Sequence, residues 1–165
     1  LVNGVKSIIL SERKDRMGSG KIKFTEIKFL NKDKKVLSNL LTGEQVFIEC
    51  IFENHMQETI GKPIRFDVNI SDNNETLITQ LTTFFQKDDF FVDSKSNKFL
   101  IEIPRLNLLE GQYNLSIYSK IDEEEADWLS NAVEFSVEGS DYFNVGKKMP
   151  AGFGIIAMDH NVKLM

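Results

Sequence analysis

Apolar and polar residues alternate with a period of two along most of the chain. Ile64, Phe66, Val68 and Ile70 interleave with Arg65, Asp67, Asn69 and Ser71, the pattern of a strand with one face in a core and one face open. Val46, Ile48, Cys50 and Phe52 repeat the period. Phe47 and Ile51 make their opposite face apolar as well, which predicts a strand in the middle of a sheet. A mixed strand starts at Lys21 and ends in the polar turn at 31–35. Asp72-Asn73-Asn74 tolerates left-handed backbone angles and predicts a hairpin into a strand over 76–85. Phe99, Ile101 and Ile103 form another inward set, and 132–137 reads as a last strand. Residues 86–97 read as a loop in which Phe90 and Phe91 sit among charges, and the acidic run Asp122 to Asp127 reads as a solvated loop. A single helical turn near 127–131 is the only helical signal. The expected fold class is all-β, an immunoglobulin-like or jelly-roll β-sandwich of about seven to nine antiparallel strands.

The stretch Ile103 to Ile117 organises this pattern. In Leu108-x-x-Gly111-x-Tyr113 the glycine is free to take the positive φ of a tight corner, and the tyrosine follows two residues later at the start of a strand. That spacing predicts a tyrosine corner, with the ring in the core and the hydroxyl bonded to backbone a few residues upstream. Tyr113, Leu115 and Ile117 then face inward, and Asn114, Ser116 and Tyr118 outward.

Composition narrows the functional classes. With 165 residues, 41% of them hydrophobic and thirteen of them Phe, the chain suffices for one core without disulfide or metal. A net charge of −5 and the lack of a basic stripe argue against nucleic acid as a partner. The single cysteine, Cys50, excludes an internal disulfide and suits a reducing compartment. No apolar run approaches the roughly 20 residues that a membrane-spanning helix needs. The chain begins with Leu, which reads as a piece of a longer protein. Residues 1–17 read as a linker, with a hinge at Met17-Gly18-Ser19-Gly20, and residues 18–165 as the sandwich. Apolar residues return at Phe153 to Met158 after the strand count is complete, and such a segment needs a partner edge, its own or another subunit's.

The search for chemistry finds no catalytic set, no metal cluster and no cofactor motif. His55 and His160 are the only histidines, and neither a phosphate-binding glycine loop nor a nucleophile elbow occurs. Carboxylate pairs for glycoside hydrolysis, roughly 5 to 9 Å apart, are not visible in a sequence, and Asp67 is the one carboxylate worth testing. What emerges instead is a polar face: Arg65, Asp67 and Asn69 from one strand, Gln80 and Thr82 from its hairpin neighbour, and Asn114, Ser116 and Tyr118 from the corner strand. Amides, hydroxyls and a ring face match the hydroxyls and apolar faces of sugars. An idle solvent-exposed sheet face is the alternative.

The ordered segments at 18–22 (GSGKI), 40–44 (LLTGE), 63–83, 103–113 (IPRLNLLEGQY), 132–147 and 152–164 together resemble the C-terminal domain of Wzt-type proteins, the ATP-binding subunits of bacterial ABC transporters that export O-antigen and related polysaccharides. The resemblance implies a non-catalytic carbohydrate-binding sandwich that reads a surface polysaccharide in the cytoplasm, at the inner face of the inner membrane. It also implies an ATPase domain upstream and, through it, a transporter membrane subunit as partner. It further implies a homodimer in which C-terminal strands pair or exchange. A domain that only dimerises or docks, and a glycan-modifying enzyme, are the rival readings.

Overall fold

Strands with one apolar face must cover it, and here two sheets cover each other. The computed structural model describes residues 7–55 and 57–165. Its strands are β1 (Ile8–Ile9), β2 (Ile22–Leu30), β3 (Leu40–Leu41), β4 (Val46–Asn54), β5 (Pro63–Asp72), β6 (Leu77–Thr82), β7 (Phe90–Phe91), β8 (Lys98–Ile103), β9 (Gly111–Ile121) and β10 (Glu124–Glu138). One sheet has the order β1-β2-β4-β8, the other β3-β10-β9-β5-β6, with β7 continuing the edge beside β5. The β-sandwich expected from alternation is thus the fold. All pairings are antiparallel except β3 with β10, which run parallel.

Parity places the core. β4 lies between β2 and β8, as its two apolar faces require, and Cys50 is fully buried there. Between the sheets Phe24, Phe52, Phe66 and Phe99 form one aromatic cluster, with the Phe66 and Phe99 rings stacked at 4.0 Å between centroids. Burying a phenylalanine side chain contributes about 1.5–3 kcal/mol, so this cluster, drawn from β2, β4, β5 and β8, is a main tie between the layers.

The corner forms with one change. The Tyr113 hydroxyl donates to Leu109 O at 2.7 Å, and the ring is buried and packs on Phe135. Gly111, however, is not in the left-handed region. Its glycine requirement is steric: a Cβ there would stand 3.2 Å from the Tyr113 hydroxyl and 3.4 Å from two ring carbons. The glycine makes room for the ring.

Three segments depart from expectation. Residues 122–127 are no loop: Asp122 takes a positive φ of 54° and turns β9 straight into the 15-residue β10. The expected helical turn at 127–131 is β strand with a register shift between Leu129 and Val133. Acidic residues and this bulge break the alternation, which hides the strand from a period-two reading. Phe90 and Phe91, expected in a loop, pair as β7 with Pro63 and Ile64.

The described part of the expected linker is packed onto the sandwich. β1 pairs with β2, Leu10 is buried, and the Arg16 guanidinium reaches the buried Asp127 carboxylate at 2.8 Å. Residues 1–6 lie outside the described residues. At the other end, the segment 153–158 finds an edge on its own chain, with Leu109 N–H donating to Ile155 O at 2.8 Å and Ala157 N–H to Asn107 O at 2.7 Å. Only Ala157 of that segment is buried, while Phe153 and Met158 stay about three-quarters exposed.

Tyr113→Phe is expected to lower unfolding free energy by about 1 kcal/mol, one net hydrogen bond, in urea titration. Gly111→Ala should cost at least as much, by forcing the ring off its seat, and an unchanged midpoint for both would remove the corner as a determinant of the fold.

Candidate functional site

The outer face of the larger sheet is built by three strands whose register is now fixed. β5 runs between β6 and β9: Asp67 stands opposite Thr82 and Tyr118, Asn69 opposite Gln80 and Ser116, and Ser71 opposite Asn114. Cross-strand partners project to the same side, so all eight residues expected from the sequence share one face. Arg65 completes the row opposite Lys120.

Hydrogen bonding divides this set in two. Asp67 is 3% exposed. Its carboxylate accepts from Arg65 at 3.0 and 2.8 Å and from the Thr82 hydroxyl. Thr82 also accepts from Phe84 N–H at 3.0 Å, capping the single 3-10 turn that follows β6. Asn114 is half-buried and donates to Asp72 O at 3.4 Å. Asp67, Thr82 and Asn114 therefore hold the face together from below. Asp67 is correspondingly ill placed as a catalytic carboxylate, because its oxygens already serve a cation and a hydroxyl.

The second group faces outward. Gln80 is exposed, and Asn69 and Tyr118 are half-buried. The Asn69 Oδ1 is buried with no hydrogen-bond partner among the described residues, an unusual state for a polar atom at a sheet surface. Ser116 Oγ accepts from Asn131 N–H at 2.9 Å and keeps its own proton to donate. Asp67 holds Arg65 so that the guanidinium carbon sits 4.9 Å from the centre of the Phe84 ring.

Two aromatic residues of this face were missed in the sequence. Trp128 stands opposite Tyr118 in β10, the rings meeting edge to face at 5.9 Å. It hides in sequence because it follows the acidic run and precedes the bulge. Phe84 belongs to the turn after β6 and is 64% exposed. Trp128 and Tyr118 on one side and Phe84 on the other thus flank Asp67 and Arg65, and the amides of Asn69 and Gln80 occupy the neighbouring row.

Two concave places adjoin it. Where the sheets part between β6 and β8, a groove of about 510 Å³ is lined by Phe66, Leu81, Phe85, Phe90, Phe99 and Ile101, with Gln80 and Thr82 shared with the face. Under the β9-β10 turn a cup of about 350 Å³ collects charges, but Lys21 is paired with Glu124 at 2.5 Å and Lys62 with Asp122 at 3.5 Å. No group of three or more metal-binding side chains is arranged to hold an ion among the described residues.

The family model described as Wzt C-terminal domain matches residues 13–148. A solved structure described as the crystal structure of the C-terminal domain of wzt superposes with a TM-score of 0.67 at 11% identity, covering 93% of this chain and 90% of that one. At that identity the likeness speaks for the fold. A comparison with curated proteins gives no match.

Asp67→Ala is expected to cost about 2 kcal/mol in urea titration, because it strips charge-assisted hydrogen bonds from Arg65 and the bond from Thr82. Asn69→Ala should stay within about 0.5 kcal/mol of the parent. The reverse order would mean that the division into supporting and outward residues is wrong.

Proposed function

The chain belongs to the Wzt C-terminal domain family, and we propose that its outer sheet face binds a polysaccharide of the bacterial surface, without catalysis, on behalf of an ABC transporter that exports it. The observation that carries the reading is the pairing of Trp128 and Tyr118 beside outward amides. Ring faces stack on the C–H faces of pyranoses, while Asn69, Gln80 and Ser116 offer the mixed donors and acceptors that sugar hydroxyls need. Arg65 is neutralised by Asp67, which suits a ligand without strong charge. Each contact contributes little by itself, near 1 kcal/mol for a net hydrogen bond. A repetitive ligand held by two copies of the domain gains avidity without new contacts.

A homodimer fits this reading, and the C-terminal segment supplies its surface. Phe153, Ile155, Ile156 and Met158 are exposed in the single chain, and the segment is tied by two backbone hydrogen bonds to residues 107–109, an attachment a second copy could take over by exchange. The transporter's ATP-binding domain and membrane subunit are then the further partners, at the cytoplasmic side of the inner membrane.

Binding of polysaccharide from the source strain, against one of unrelated structure, is measured by calorimetry. Tyr118→Ala and Trp128→Ala are expected to weaken it by roughly tenfold. If both bind as the parent does, the outer face is not the site and the groove behind Phe85 and Phe90 takes its place. No binding by the parent favours a domain that only dimerises or docks.

Phe153→Ser combined with Met158→Ser is expected to sediment as a monomer with an unchanged melting temperature, since both side chains are exposed in the single chain. A dimer that survives both substitutions places the interface elsewhere.

A further inference from the structure

The backbone of Trp128 is held by the chain's own N-terminal segment, through an antiparallel bridge to Met17. Met17 N–H donates to Trp128 O at 3.0 Å and Trp128 N–H to Met17 O at 2.8 Å. Ser19 and Gly20 extend the pairing to Glu125 O and Ala126 O at 3.0 and 2.8 Å. Higher on the same strand, the Arg13 guanidinium donates to the carbonyls of Ser130 and Asn131 at 3.1 and 3.3 Å, and Asn131 in turn donates to Ser116 Oγ at 2.9 Å. Residues 13–20 thus grip β10 at Trp128, opposite Tyr118, and at the bulge, where Asn131 reaches Ser116.

One buried ion pair seats this strap. Asp127, 1% exposed, accepts from Arg16 at 2.8 Å and from Phe24 N–H at 2.8 Å through the same oxygen. Burial, the largest influence, pushes the Asp127 carboxyl above its ordinary range, while the Phe24 N–H and Arg16 oppose that shift. Arg16 also donates to the carbonyls of Leu10 at 2.6 Å and Phe24 at 3.2 Å, so it ties the strap to both sheets at once. Gly18 makes the approach sterically feasible: with φ at +110°, a Cβ there would fall 2.6 Å from Ala126 O.

We propose that residues 13–20 are a strap energetically coupled to the ligand face, in which Arg16 and Asp127 are positioning residues: a glycan on Trp128, Tyr118 and Ser116 tightens the strap on β10, and freeing the strap weakens the glycan. The inference rests on the glycan reading above. Its physical basis is that Trp128 presents its ring to the face and its backbone to Met17, so displacement of either moves the other. Coupling of this kind is reciprocal: the factor by which the seated strap raises glycan affinity is the factor by which glycan raises the stability of the seated strap. The face is thereby wired to the N-terminal side of the domain.

Trp128 is the only tryptophan in the chain, so its emission reads the strap directly. The experiment uses the full chain and polysaccharide released by mild acid from the strain that carries the gene. Gly18→Val, which drives the strap off Ala126, is expected to increase acrylamide quenching of Trp128 and to weaken polysaccharide at least roughly fivefold. The double variant Arg16→Met with Asp127→Leu, which removes both charges together, should act in the same direction. In the unmodified chain, polysaccharide should slow hydrogen exchange at the Met17, Ser19 and Gly20 amides by a comparable factor. Tyr113→Phe, a stability loss remote from the strap, should change neither quenching nor affinity. If the strap variants bind like the parent, or exchange at those amides ignores the ligand, the coupling is overturned and the glycan face stands. If the parent binds no polysaccharide, the coupling falls together with the face.

Discussion

Two-residue alternation along β5 is the constraint on which the structure depends. Its inward side puts Ile64, Phe66, Val68 and Ile70 into the core, and Phe66 stacks on Phe99 of the opposite sheet. The same alternation leaves Arg65, Asp67 and Asn69 on the far side, with no freedom to choose another. Because β5 is flanked by β6 and β9, every outward residue of those strands is brought into register with it. The core thus specifies the face: a slip of one residue would bury Asp67 against Phe99 and turn Phe66 to solvent.

How much of this was legible follows from which residues obey the period. Strands β4, β5, β8 and β9 are readable because their alternation is uninterrupted, and the corner at Tyr113 because its spacing is local; β2 reads only as a mixed strand because a bulge between Phe24 and Glu26 flips its parity. The eight residues assigned to the outer face do share it, since parity fixes the side on which a residue lies. Parity says nothing about what lies between residue and solvent. Asp67 and Thr82 are on the right face yet spend their oxygens on Arg65, Phe84 and each other, a matter of rotamer and distance that spacing does not encode. Trp128 failed for a different reason: acidic residues on one side and a bulge on the other erase the period where β10 is most involved with the face. Gly111 was correctly singled out for the wrong cause, because a glycine required by a neighbouring ring and one required by φ look alike in sequence.

The N-terminal stretch shows the same limit from the other side. Charged residues at 11–16 read as a linker, because charge usually means solvent. Here one of those charges, Arg16, has a buried carboxylate partner more than a hundred residues away. Such a pair is no strong source of stability, since desolvation offsets much of the attraction. What it supplies is direction: a guanidinium with several bonded donors fits one place, and Asp127 sets that place one residue from Trp128.

Polar groups across the domain therefore fall into those that are satisfied within the chain and those that are not. Asp67, Thr82, Asp127 and Arg16 have their partners, and their effect is rigidity. The buried Asn69 Oδ1 lacks a partner among the described residues, while Gln80 and parts of the Trp128 and Tyr118 rings remain open to the outside. A rigid frame around unsatisfied groups lowers the ordering cost of binding, because the frame is assembled before the ligand arrives. The strap joins that frame to the N-terminal side of the domain through two backbone hydrogen bonds at Trp128, and that pairing is the physical basis of the proposed coupling between residues 13–20 and the face.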